Sequence, residues 1–299
     1  MISVIISSVN KTMLANVSQN IADTIGVPFE IIAIDNSKGK RGICAVYNEG
    51  ASRAKYNIVC FAHEDIAIKT QNWGKTIIDL FNQNTQIGLV GVLGSSYKPL
   101  SPSGWVGMQA EDTYYINIIQ GFKYSNREAY LTCRNPNNAA FEPVACVDGV
   151  WFCTTRQVLE KVSFDENTFK GFHAYDLDFS MAVRQYYEVV VTYEVLLHHF
   201  SEGNFNKDWL INVLKFQEKW IDKLPVAVKK ISYSQRLSIE KYTFRVFVDN
   251  LIKSGIPKSV AYKVLWQNNV FLKKFPSLFL KLHNFIPKAY KAARTEGRI

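Results

Sequence analysis

Three consecutive residues, His63-Glu64-Asp65, carry side chains that bind divalent cations or move protons. They follow Ile58-Val59-Cys60-Phe61, an apolar run too short for a globular helix and rich in strand-forming types, which reads as a strand buried on both faces. In open α/β sheets the carboxyl ends of such strands form the rim where ligands bind. That placement is the chemical signal, because a His-Glu-Asp triplet by itself is most often a solvated loop. Two other groups share it. The stretch Phe172-His173-Ala174-Tyr175-Asp176-Leu177-Asp178 sets two carboxylates in or just before the first turn of a helix predicted over 177–186, where the helix dipole favours negative charge. A β-branched strand predicted over 189–197 then ends in His198-His199.

The elements that must position these groups follow from periodicity. Ile2 to Ser8 is a fully apolar strand ending in small polar residues, and Lys11 to Ile25 has apolar residues at helical spacing until Gly26-Val27-Pro28 stops it. Phe29 to Ile34 is a second buried strand, running into the turn-forming cluster Asp35-Asn36-Ser37. Strand, helix and strand within about 35 residues make a βαβ unit, whose strands are parallel. A helix over 43–54 containing Asn48 leads into the 58–61 strand, and a helix over 73–81 precedes a strand over 87–93. Residues 95–140 are rich in Gly, Pro, Ser and Asn, with Trp105 in a Gly-Trp-Val-Gly loop and a short alternating run over 114–119. Loops of that length in a compact domain are usually lids or binding loops. Over 141–154 an apolar strand is interrupted by Asp148-Gly149.

At 299 residues the chain suits one large domain with an appendage. No apolar run approaches the roughly 18 residues of a membrane span, and the first residues lack a basic leader region, so a cytoplasmic protein is expected. Five cysteines without a Cys-x-x-Cys pair are expected to be reduced and mostly structural. The charge divides the chain. Residues 1–220 hold 19 Lys+Arg against 22 Asp+Glu, a net −3, whereas residues 221–299 hold 16 against 4, a net +12.

The order of motifs resembles the family-2 glycosyltransferases with a GT-A fold, and most of all the StrF-type branch named for a streptomycin-biosynthesis protein. The matching pieces are Ile2–Ser8, the strand ending in Asp35-Asn36-Ser37, the Asn48 helix, Phe61-Ala62-His63-Glu64-Asp65, the 87–95 strand with the Trp105 loop, Val147-Asp148-Gly149, the 164–178 stretch, and His199 to Gly203 with Trp209. They span roughly residues 1–220. No single motif is specific, but their number and order make chance agreement unlikely.

The resemblance implies an α/β GT-A domain over 1–220, a nucleotide-diphospho-sugar transferase with a Rossmann-like mixed sheet, and a basic helical extension over 221–299. It implies transfer of a sugar, with inversion, from a UDP-, GDP- or dTDP-sugar to a hydroxyl of a glycan or lipid-linked acceptor in polysaccharide biosynthesis. Such transfer needs a base for the acceptor hydroxyl and a neutralised diphosphate leaving group. Asp176 falls at the family's catalytic base, with Tyr175 replacing the glutamate before it; a helix N-cap is the plain alternative for such an aspartate. Asp65 matches the last, metal-binding position of the DxD motif, and His199 the histidine closing the metal site for Mn²⁺ or Mg²⁺. His63 stands where the family has the first aspartate, a departure shared with the StrF-type branch. Asp35 matches the aspartate that pairs with the nucleotide base, or it caps a turn. The nucleotide sugar is expected on Ser7, Asp35, Asn36, Ser37, Asn48, Glu64 and Asp65, and the acceptor and sugar pocket on Trp105, Asp148, Gly149, His173, Tyr175 and Asp178.

The tail lies outside the resemblance. Its periodicity predicts helices over 235–254, 257–274 and 276–293. They form either a helical cap with a solvated basic face or a contact for an anionic membrane surface, which would hold the protein peripherally at the inner face. Nucleic acid ranks third, since no binding motif accompanies the charge. Two other classes stand against the enzyme: a silent nucleotide-sugar or glycan-binding module, and a docking protein that works through its basic tail.

Overall fold

The computed structural model describes residues 1–123 and 125–298. In chain order the elements are β1 (Ile2–Ser8), α1 (Lys11–Thr24), β2 (Phe29–Asp35), α2 (Ile43–Arg53), β3 (Ile58–Ala62), β4 (Ile66–Ile68), α3 (Trp73–Gln83), β5 (Ile87–Gly91), β6 (Leu93–Ser95) and β7 (Tyr97–Lys98). There follow β8 (Tyr114–Gln120), β9 (Tyr130–Arg134), β10 (Phe141–Pro143), β11 (Cys146–Val147), β12 (Trp151–Thr155), α4 (Arg156–Leu159), α5 (Tyr175–Val183), β13 (Glu188–Thr192) and β14 (Leu197–His199). The chain ends with α6 (Lys207–Trp220), β15 (Val226–Ala227), α7 (Tyr233–Lys253), α8 (Lys258–Trp266), α9 (Val270–Lys274) and α10 (Pro276–Thr295).

These elements form two compact units. The first comprises residues 1–96 and 114–204. Its main sheet has the order β10-β13-β5-β12-β3-β1-β2. β1 is parallel to both β2 and β3, as the βαβ pattern requires, whereas β12 runs antiparallel between β3 and β5. A second sheet, β11-β6-β8-β14-β4 with β9 beside β8, carries the strand ends that bear Asp65 and His199. The expected mixed sheet is present. Three predicted strands are split in two or three by turns, including the break at Asp148-Gly149 between β11 and β12.

Local chemistry explains the layering. Asn10 caps α1 by accepting from the Thr12 and Met13 amides, and α1 buries Val17 and Ile21 on the sheet. On the other side α2 approaches β1 at Gly50, where a Cβ would stand 2.3 Å from the Ile5 side chain. Only glycine lets helix and strand come that close. Between α2, β3, β12 and α5 lies an aromatic layer. Tyr47 and Phe61 have ring centroids 4.8 Å apart, Phe61 and Phe152 5.2 Å, and Phe164 and Phe179 stack at 4.2 Å. Rings of this size each contribute about 1.5–3 kcal/mol by leaving water, so the layer makes a stiff floor beneath the rim.

The second unit comprises residues 97–113 and 205–298 of the described chain. The expected boundary at 220 therefore shifts. α6 buries Leu210, Val213 and Phe216 and groups with the tail, as does the distant segment Tyr97–Thr113. The physical reason is Glu240 on α7, fully buried, which accepts from the Leu100 and Ser101 amides and from the Ser101 and Tyr97 hydroxyls. Four donors on one carboxylate bind that strap to the helical part. The helix predicted over 257–274 is broken between α8 and α9, because Asn268 and Asn269 take φ of 48° and 54°, a left-handed conformation that asparagine tolerates.

Candidate functional site

The register of the main sheet brings the rim together. Ile6 pairs with Ala62 and Ser8 with Asp35, so Ser7 and His63 leave the carboxyl ends of β1 and β3 at one level, and Asp35 ends β2 one residue further along. Asp35 is exposed and its Oδ1 accepts the Ser37 amide at 2.9 Å, which with the Ser37 hydroxyl and Lys11 and Lys38 lowers its pKa. That turn leaves a carboxylate facing solvent beside the half-buried Asn36.

Two residues expected on the nucleotide sugar are occupied inside the protein. Glu64 is buried and accepts from the Ser8 hydroxyl and from the Val9 and Asn10 amides. It shapes the β1–α1 loop. Asn48 spends its side-chain amide on the backbone of Phe164, donating to the carbonyl at 2.9 Å and accepting from the amide at 3.0 Å. It therefore anchors the chain segment that precedes α5.

Around Asp65 the structure gathers three side chains that could hold a cation. Its Oδ1 is 3.8 Å from His63 Nδ1 and its Oδ2 is 3.5 Å from His199 Nε2, and one ligand atom from each of the three lies within 4.8 Å of the others. Two donors each about 2.1 Å from one ion stand roughly 3–4 Å apart, so the two Asp65–histidine separations suit a single divalent cation. The side chains remain 18%, 19% and 14% exposed for His63, Asp65 and His199, which leaves an approach from solvent. Burial works to raise the Asp65 pKa, but the hydrogen bond and charge of His199, the charge of His63 and the Ser201 hydroxyl at 2.6 Å outweigh it and hold the carboxyl well below its usual range. Burial, reinforced by His199, pushes His63 down to about 4, so its imidazole is neutral at pH 7. An ionised carboxylate beside a neutral imidazole is the protonation state a metal requires.

The expected metal set was Asp65 and His199; the structure adds His63. The signal in the sequence is their closeness, since His63 precedes Asp65 by two residues in the bend between β3 and β4. His198, next to His199 on β14, points to the opposite face by strand alternation and packs on Phe200 with ring centroids 4.3 Å apart.

A second group adjoins the first. The Tyr175 hydroxyl lies 2.9 Å from His63 Nε2 and donates to the Gly149 carbonyl at 2.9 Å, while the Gly149 amide donates to Asp176 Oδ2 at 3.1 Å. A Cβ on Gly149 would meet the Tyr175 hydroxyl at 2.1 Å, so a side chain is excluded there. Asp148 Oδ1 accepts the Val150 amide, which fixes the turn. Asp176, half-buried at the start of α5, is pushed up to about 7, first by burial and then by the negative charge of Asp148, against three backbone amides. Burial, with Tyr47 and Asp176 nearby, raises the Tyr175 phenol well above its usual range, so it keeps its proton.

The remaining expected residues divide. His173 is half-buried just before α5. Asp178 is 2% exposed and lies about 200° round the helix from Asp176, so it is part of the interior rather than of the polar pocket. Trp105 belongs to the second unit.

With this geometry in view, the comparison with known proteins is decisive: the model of a glycosyltransferase-like family matches residues 3–243. The chain belongs to that glycosyltransferase family. It is 21% identical over 206 residues to the streptomycin biosynthesis protein StrF of Streptomyces griseus, covering 68% of this chain and 67% of that protein. Its fold is similar to that of GalNAc-T7, solved with UDP, GalNAc and Mn²⁺, at 13% identity and a TM-score of 0.50 over 89% of this chain and 57% of that one. It also resembles residues 1–349 of S. aureus TarS, at 12% identity and a TM-score of 0.47 over 98% and 91% of the two chains. The glycosyltransferase thus has the GT-A fold expected of it, with a helical second unit attached.

Proposed function

We propose that the glycosyltransferase takes its sugar from a nucleotide diphosphate donor and passes it, with inversion, to an acceptor hydroxyl. The observation that carries this reading is the pairing, through Gly149 and Tyr175, of a proton-accepting carboxylate with a three-residue cation cluster on one strand rim. Asp176 takes the acceptor proton as the acceptor oxygen forms its bond to the anomeric carbon. The bond from that carbon to the diphosphate breaks, and its electron pair leaves with the nucleoside diphosphate. A pKa near 7 suits a base working at neutral pH. His63, Asp65 and His199 would hold Mn²⁺ or Mg²⁺, which supplies positive charge against the diphosphate.

Asp35, Asn36 and Ser37 would receive the nucleoside of a UDP-, GDP- or dTDP-sugar; GalNAc-T7, similar in fold, was solved with UDP and Mn²⁺. The acceptor would be a glycan or lipid-linked glycan, with Asp148, Gly149 and His173 on its side of the pocket. The net +12 of residues 221–299 supports attachment to the anionic inner face of a membrane in polysaccharide biosynthesis, with the protein cytoplasmic. Isothermal titration of UDP-, GDP- and dTDP-sugars with and without Mn²⁺ tests the donor assignment. Tight, cation-dependent binding of one of them is expected, and binding of none would overturn it.

A further inference from the structure

The side chains of His63 and Tyr175 touch. They are 112 residues apart in sequence, yet His63 Nε2 and the Tyr175 hydroxyl stand 2.9 Å from each other. The partners along this contact favour one ring nitrogen as the carrier of the hydrogen. A phenol has one proton, and the Gly149 carbonyl, which can only accept, takes it at 2.9 Å. The Tyr175 oxygen then accepts from His63, so Nε2 bears the ring hydrogen and Nδ1 bears the lone pair. In the other tautomer an Nδ1–H would face Asp65 at 3.8 Å, too long for a hydrogen bond, and one phenol proton would have two acceptors to satisfy. The Phe172 ring, 5.4 Å from that of His63, flanks the imidazole, and the His63 amide is fixed by the Val150 carbonyl at 3.0 Å.

We infer that Tyr175 is a positioning residue that holds His63 as an Nδ1 ligand, and that the resulting two-imidazole, one-carboxylate site selects Mn²⁺-type transition cations over Mg²⁺. The inference deepens the functional reading, since it concerns the same cluster. Mg²⁺ favours oxygen donors and keeps its water, whereas imidazole nitrogen suits first-row transition ions. An aspartate at position 63 would give a harder site; His63 shifts the preference. A hydrogen bond to the far nitrogen of a ligating imidazole fixes ring and tautomer, and losing it typically costs 10–100-fold in metal affinity.

The test needs neither donor nor acceptor, so its failure is distinct from failure of the transfer reading. In the metal-free wild type, the nitrogen-15 shifts of the His63 ring should show an unprotonated Nδ1 and a protonated Nε2. A protonated Nδ1 overturns the inference. Mn²⁺ binding, followed by paramagnetic resonance with Mg²⁺ as competitor, should favour Mn²⁺ in the wild type. Tyr175→Phe, which keeps the ring, should weaken Mn²⁺ binding by about 10–100-fold. His63→Asp should narrow the preference for Mn²⁺. Equal Mn²⁺ affinity in the wild type and Tyr175→Phe, or a wild type that takes Mg²⁺ as readily as Mn²⁺, contradicts the assignment. The ring shifts stand as a test even if Tyr175→Phe folds poorly.

Discussion

The backbone amide of Gly149 donates to Asp176 Oδ2 at 3.1 Å while the carbonyl of the same residue accepts the Tyr175 hydroxyl. One glycine thus joins the carboxylate proposed to take the acceptor proton with the hydroxyl that contacts His63. Several expected outcomes derive from that junction.

Gly149→Ala should disturb both halves at once. Its Cβ would stand 2.1 Å from the Tyr175 hydroxyl, so the tyrosine must move. Overpacking of this kind typically costs about 1–3 kcal/mol. Chemical denaturation should register that loss, and Mn²⁺ affinity should fall with it. Wild-type metal binding in this variant would contradict the contact.

Transfer should rise with pH through about 7, the value to which burial and Asp148 bring Asp176, because the base works only after losing its own proton. The pH profile of kcat/KM with saturating Mn²⁺ reads it. A profile flat between about pH 5.5 and 8.5 would remove Asp176 from that role.

The same shift has a cost in stability. Asp176 binds its proton more tightly folded than unfolded, so folding stability falls as pH rises from about 4, the ordinary carboxyl value, to about 7. Asp176→Asn lacks this titration. Its melting temperature relative to wild type should therefore climb across that window and level off above it. A constant difference from pH 4 to 8 would deny the buried, destabilised carboxylate.

Glu240 offers a test of the second unit. Glu240→Gln replaces two acceptor oxygens by one and turns an amide towards backbone N–H groups of Leu100 and Ser101. An unsatisfied buried donor costs about 1–3 kcal/mol, so thermal unfolding should come earlier by several degrees. Because this carboxylate holds the strap at Tyr97–Thr113, membrane attachment is tested by substitution on the surface of the tail. Replacing the exposed Lys281, Lys288 and Lys291 by Gln should lower retention on anionic liposomes with both units intact.

Much of the α/β layer was legible in the sequence because buried parallel strands such as Ile2–Ser8 and Ile58–Ala62 are written as continuous apolar runs; Phe29–Asp35 has the same run, yet it is the half-exposed edge strand of the sheet rather than a buried one. The candidate site was legible as far as the ends of strands and helices mark it, which is why Asp65, His199 and Asp176 are its candidates in the sequence. What could not be read was pairing across the chain. The contact of His63 with Tyr175, the anchoring of Phe164 by Asn48, and the strap held by Glu240 join residues more than 100 apart, and no local pattern encodes them. Glu64 and Asp178 looked like site residues by type and spacing, but each is turned inward by the loop or helix that carries it.

The most direct test of the account is to separate donor binding from transfer at Asp176. With the donor and acceptor identified, Asp176→Asn should bind the nucleotide sugar with a near-normal Kd while turnover falls by about 10²- to 10⁴-fold, the contribution of a positioned general base. Transfer by Asp176→Asn at the wild-type rate would contradict it and leave Asp176 as the cap of α5.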